Sequence, residues 1–111
     1  MPCRAILPAV NDVRWKQRLS NLTRAVSILE RGLLVAQPNE LEQQGIVKAF
    51  ELAYELSWKT LQDYLSAQGL ERAVGPKPVI REALNNGLLD DGDAWATMHE
   101  ARNRAAHVYD E

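Results

Sequence analysis

The sequence predicts an all-α protein, an antiparallel up-and-down helical bundle with three long helices and one short helix. Three observations lead there. Apolar residues recur at three- and four-residue spacing over long stretches, helix start and stop signals punctuate those stretches, and no segment alternates apolar and polar residues as a strand does. With 111 residues the chain has the size of one domain. Residues 1–111 are read as a single helical domain, with 1–11 as a short N-terminal extension.

The first helix is expected to begin near Asn11-Asp12, where either side chain can accept from the exposed N–H groups of the first turn. Val13, Leu19, Leu22, Val26, Leu29 and Leu33 then form one apolar stripe, and Gly32 falls near the end. Gln37-Pro38-Asn39 is a turn. The second helix has a capping-box signature, Asn39 followed by Glu42, and is predicted from about Glu40 to Ala67 with a stop at Gly69. Ile46, Ala49, Phe50, Ala53, Tyr54, Leu56, Trp58, Leu61, Tyr64 and Leu65 cover more than half of its circumference, which places it centrally with neighbours on two sides. Its polar stripe holds Glu51, Glu55, Lys59 and Gln62, and Glu55 and Lys59 have the order and spacing of a helix ion pair. Gly75-Pro76-Lys77-Pro78 breaks the chain. Val79 to Asn85 reads as the short helix, stopped by Asn86-Gly87. Asp90 or Asp91 caps the last helix, which turns Trp95, Met98, Ala101, Ala105 and Val108 inward.

The formal net charge of −2 argues against broad, charge-driven nucleic-acid binding and leaves room for a local basic pocket. Cys3 is the only cysteine, so an internal disulfide or a cysteine-based zinc site is not expected. The apolar run at the start is too short for a signal peptide or a membrane span, and a cytoplasmic location follows by elimination.

Chemistry concentrates between Arg102 and Tyr109. With Arg102 at zero on a helical wheel, Tyr109 falls about 20° away, and Asn103 and His107 form the neighbouring stripe. A guanidinium, an amide, an imidazole and a phenol thus share two turns. A histidine titrating near pH 6.5 can take a proton from a ribose 2′-hydroxyl or give one to a leaving oxygen. An arginine can hold a phosphate and stabilise charge building on its oxygens. Asn103 can orient either group. Such phosphodiester chemistry calls for no metal and no cofactor. The alternative reading of the same residues is structural: a partly buried Arg102 paired with Glu51 or Glu55, and an ordinary exposed His107.

The segment Arg102-Asn103-Arg104-Ala105-Ala106-His107-Val108-Tyr109 resembles the Arg-x4-His-x-Tyr motif of HEPN proteins. Further blocks resemble the small HEPN proteins described as nucleotidyltransferase substrate-binding. These are Arg14-Trp15-x-x-Arg18-Leu19-x-Asn21, the series from Gly45 through Phe50-Glu51-Leu52, Glu55-Leu56-x-Trp58-Lys59 and Asp63, then Pro78-x-x-Ile-Arg81-x-Ala83, and Trp95. The resemblance runs from Val13 to Glu111. It implies a toxin of a two-protein module: a metal-independent RNase acting as a homodimer, the Arg–His helices of two subunits facing each other. The implied partner is a minimal nucleotidyltransferase that serves as antitoxin and transfers AMP to the motif tyrosine. Carried over, Arg102 and His107 are catalytic, Asn103 assists, and Tyr109 is the modification target. Family members usually continue past the motif with another long helix, whereas this sequence stops at Glu111. Apolar surface left on the long helices would then be covered by a partner subunit, by rearrangement or by the N-terminal extension, and the bundle is expected to be completed by dimerisation. The alternatives are a non-catalytic subunit that presents substrate to a nucleotidyltransferase, and a structural helical dimer.

Glu51, Glu55, Lys59 and Arg81 are candidate substrate-binding residues, the two cations as phosphate contacts. Trp58 and Trp95 are expected in the core, His99 is expected to be exposed, and Cys3 is assigned no role.

Overall fold

The computed structural model describes residues 2–70 and 73–108, with side chains described for 13–70 and 73–105. Four helices follow in order: α1 (Pro2–Leu33), α2 (Glu40–Ala67), α3 (Pro76–Asn85) and α4 (Gly92–Val108). No strand occurs among the described residues. The fold is all-α with three long helices and one short one, as expected.

The local signals explain most boundaries. Asn39 Oδ1 accepts the Glu42 N–H at 2.8 Å, and Glu42 Oε1 accepts the Asn39 N–H at 2.9 Å, so the capping box forms. At the other end of α2, Gly69 takes a φ of 85°, a conformation that L side chains rarely adopt, and Leu70 N–H closes back onto Leu65 O at 2.8 Å. Asp91 Oδ1 accepts the Ala94 N–H at 3.1 Å at the start of α4. α3 begins at Pro76, before the expected Val79, because a proline is pre-shaped for the first helical position and loses no hydrogen bond there.

Two expectations for α1 are corrected. Helical backbone begins at Pro2, so the segment read as an extension is continuous with the helix. Pro2 is tolerated in a first turn, and Ala5, Ile6, Leu7 and Ala9 offer no side-chain acceptor that would compete for the backbone. The packed face is also rotated by roughly 50° from the predicted stripe at ~100° per residue. Trp15, Arg18, Leu22, Ala25, Leu29 and Gly32 are the buried or half-buried row, whereas Val13, Leu19, Val26 and Leu33 are exposed. Small residues decide this. A Cβ built at Gly32 would stand 2.8 Å from Ile46 Cγ1, so α1 and α2 approach closely there, and Ala25 on the same row of α1 is buried.

Among the described residues α1 packs on α2 and on no other helix, and α3 and α4 pack on α2 and on each other, so α2 holds the central position its wide apolar face predicts. Trp15 meets Tyr64 edge-on at 5.1 Å, and Arg18 Nε lies 3.2 Å from Asp63 Oδ2. These contacts fasten the first half of α1 to the second half of α2, the pairing an antiparallel hairpin requires. Leu65, Val79 and Ala83 form the fully buried centre between α2 and α3. The molecule is elongated, 56 × 26 × 23 Å. Along the hairpin Leu19, Val26, Ile28, Leu33, Leu41 and Leu52 remain exposed. Among the described residues no helix is long and apolar enough to cross a membrane.

Candidate functional site

The site forms where one stripe of α2 meets one stripe of α4. Tyr54, Glu55, Trp58 and Lys59 lie within two turns of α2, and His99, Arg102 and Asn103 recur at three- and four-residue spacing on α4. Each stripe is continuous with the apolar face that joins the helices, which brings polar heads to the rim of a packed interface.

Arg102 is the centre. Its Nη2 lies 3.3 Å from Glu55 Oε1, its Nη1 donates to Asn103 Oδ1 at 3.2 Å, and its guanidinium carbon stands 5.4 Å from the centre of the Tyr54 ring. Glu55 is itself held, since its Oε2 accepts the Trp58 indole N–H at 3.1 Å. The Lys59 ammonium lies over the Trp58 ring at 5.7 Å. The expected Glu55–Lys59 pair is therefore replaced. An exposed helix ion pair contributes only about 0.2–0.5 kcal/mol, and Glu55 gains more from the half-buried Arg102 guanidinium together with the Trp58 indole N–H. Arg102 Nε is buried and has no hydrogen-bond acceptor among the described residues.

Behind Arg102, buried Tyr54 pairs with half-buried His99. The Tyr54 hydroxyl is 2.7 Å from His99 Nδ1, and Tyr54 is only 3% exposed. Burial raises the Tyr54 phenol above its ordinary range, with Glu55 adding to the rise and Arg102 opposing it. Burial also lowers the His99 imidazole, helped by the Arg102 and Lys77 charges and opposed by Glu100. Both directions favour a protonated phenol and a neutral imidazole, joined by one hydrogen bond between the Tyr54 hydroxyl and His99 Nδ1. His99 is thus half-buried and bonded, not the exposed residue its position suggested.

His99 also lines a cleft of about 370 Å³ between α3 and α4, together with Lys77, Ile80, Arg81, Leu84, Gly92, Trp95, Ala96 and Glu100. Trp58 and Trp95 are half-buried at these rims instead of enclosed in the core.

Of the sequence-predicted residues, Arg102, Asn103 and Glu55 come together directly, and Lys59 joins them through Trp58. Glu51 is half-buried one turn earlier on α2 and makes no ion pair with a described residue. Arg81 is exposed on α3 and belongs to the cleft. His107 lies on the backbone of α4, but its side chain is outside the described set, and Tyr109 lies outside the described residues altogether. Tyr54 and His99 were the residues missed. His99 precedes Arg102 by one helical turn, and that spacing was the available signal. Among the described residues no group of His, Cys, Asp and Glu is placed to hold a metal ion.

A two-sided central helix with an arginine-centred polar cluster on the following long helix defines the class, and comparison with known proteins agrees. Residues 17–111 match the family described as nucleotidyltransferase substrate binding protein like, and the chain belongs to this family of HEPN-domain proteins. It is also 32% identical over 93 residues to the Probable ribonuclease HepT of Haemophilus influenzae (strain ATCC 51907 / DSM 11121 / KW20 / Rd). That match covers 78% of this chain and 64% of the relative, so the chain spans under two thirds of the relative's length.

Proposed function

We propose that the chain is a HEPN ribonuclease of a toxin–antitoxin module, cutting RNA without a metal, and that Arg102 and His107 carry the reaction. The observation behind this reading is the construction around Arg102: a half-buried guanidinium oriented by Glu55, Asn103 and the Tyr54 ring. It stands on the same helix as His107, little more than a turn away. His107 acts as acid or base toward the ribose 2′-hydroxyl or the leaving oxygen, Arg102 stabilises the phosphorane charge, and Asn103 positions the guanidinium. Glu51, Glu55, Lys59 and Arg81 flank the substrate, Glu55 by orienting Arg102. The active form is a homodimer with two α4 helices facing each other, to which the exposed apolar side chains of the hairpin contribute buried area. The partner is a minimal nucleotidyltransferase that adds AMP to Tyr109, and the module works in the cytoplasm. The family and its ribonuclease relative support this reading.

Purified protein in EDTA is expected to cleave RNA, and His107→Ala is expected to slow cleavage by about 10²–10⁴-fold. Equal cleavage by both proteins would refute the assignment. The second reading, a non-catalytic subunit presenting substrate to a nucleotidyltransferase, is favoured by the family's description and by the ion pair that already occupies Arg102. It predicts partner binding with no RNA cleavage.

A further inference from the structure

The cleft between α3 and α4 is separate from the Arg102 cluster and joins it only through His99. Its composition is selective. Ile80, Leu84 and Trp95 form an apolar wall with an aromatic face, Lys77 and Arg81 supply two cations on successive turns of α3, and Glu100 is the one carboxylate. Lys77 and Arg81 are both exposed and neither makes an ion pair among the described residues. His99 contributes a ring whose Nδ1 is committed to Tyr54, so Nε2 is the nitrogen left for a ligand.

We propose that this cleft binds one ribonucleotide unit, its base against Trp95 and the Ile80–Leu84 wall and its phosphate on Lys77 and Arg81. Each part answers to a different portion of that ligand. A half-buried indole beside aliphatic side chains is a sequence-tolerant stacking surface for a base. Two unpaired cations a turn apart suit a phosphate, which carries charge that a neutral apolar ligand lacks. Glu100 accepts from a ribose hydroxyl or an exocyclic amine, and the same carboxylate disfavours a bare anion. The volume of about 370 Å³ falls in the range of small-ligand pockets. This proposal rests on the ribonuclease reading for its biological meaning: Arg102 stands one turn beyond His99 on α4, so the cleft would hold the nucleotide next to the scissile phosphate. Strand RNA and free nucleotide share this chemistry.

The test uses the His107→Ala protein, so that RNA is not consumed, with AMP, inorganic phosphate and a short oligoadenylate RNA as probes. Nuclear magnetic resonance follows the Trp95 indole N–H, assigned with Trp95→Phe. AMP and the oligomer are expected to shift this resonance, phosphate alone is not, and Lys77→Ala/Arg81→Ala is expected to weaken binding about tenfold or more. A shift with AMP makes the single nucleotide sufficient, and a shift with the oligomer alone makes the strand the ligand. Either outcome supports the site. Absence of a shift with both, or unchanged affinity in the folded double variant, overturns it. If Lys77→Ala/Arg81→Ala with His107 intact cleaves RNA with unaltered KM, while His107→Ala does not cleave it, the ribonuclease reading stands and the cleft assignment falls. Binding at Trp95 without any RNA cleavage gives the reverse.

Discussion

At the scale of single residues, Arg102 is held by three neighbours of different kinds. Glu55 neutralises it, Asn103 accepts from it, and Tyr54 offers a π face. Removing the charge in Glu55→Gln should cost about 1 kcal/mol of stability, because both partners remain partly exposed to water. The same change should lower RNA cleavage with little effect on RNA affinity, which a kcat-against-KM comparison checks. His99 makes a pH prediction. Its folded pKa lies below the ordinary histidine value of about 6.5, so the unfolded chain binds more protons between the two values. Stability is therefore full above about pH 6.5 and declines as pH falls through that window. Denaturant titrations near pH 7.5 and pH 5.5 should show the decline, and His99→Gln should reduce it. The Arg102–Glu55 ion pair was legible, because the polar stripe of α2 offers Glu51 or Glu55 as the partner of a half-buried arginine. The Tyr54–His99 pair was not, since it joins residues on α2 and α4 whose register no single-helix pattern specifies.

At the scale of elements, boundaries followed side-chain chemistry and faces followed backbone approach. The Asn39–Glu42 box sets the start of α2, and Asn39→Ala should destabilise the protein by about 1 kcal/mol with no change in its packed faces. α1 shows where pattern reading runs out. Periodicity selects large apolar residues, but α1 carries them on adjoining rows, and Leu19, Val26 and Leu33 are in the row that faces solvent. The row that packs contains Ala25 and Gly32, residues that contribute little to an apolar count. Gly32→Val should push α1 off Ile46 and cost about 1–3 kcal/mol in chemical denaturation. A stabilised variant would mean that the close approach at Gly32 does not set the helix pairing.

At the scale of the whole molecule, α2 divides two tasks. One side receives α1 and makes the hairpin, and the other receives α3 and α4 and makes the polar site and the cleft. The elongated shape and the exposed leucines along the hairpin follow from α1 having no neighbour other than α2 among the described residues. The central claim is that the α4 segment carrying Arg102 and His107 cuts RNA. Its most direct test is cleavage of single-stranded RNA in EDTA by the wild-type chain, Arg102→Ala and His107→Ala, each checked for folding by circular dichroism. The account predicts cleavage by the wild type and a loss of about 10²-fold or more in both folded variants. Cleavage at the wild-type rate by either folded variant would contradict it.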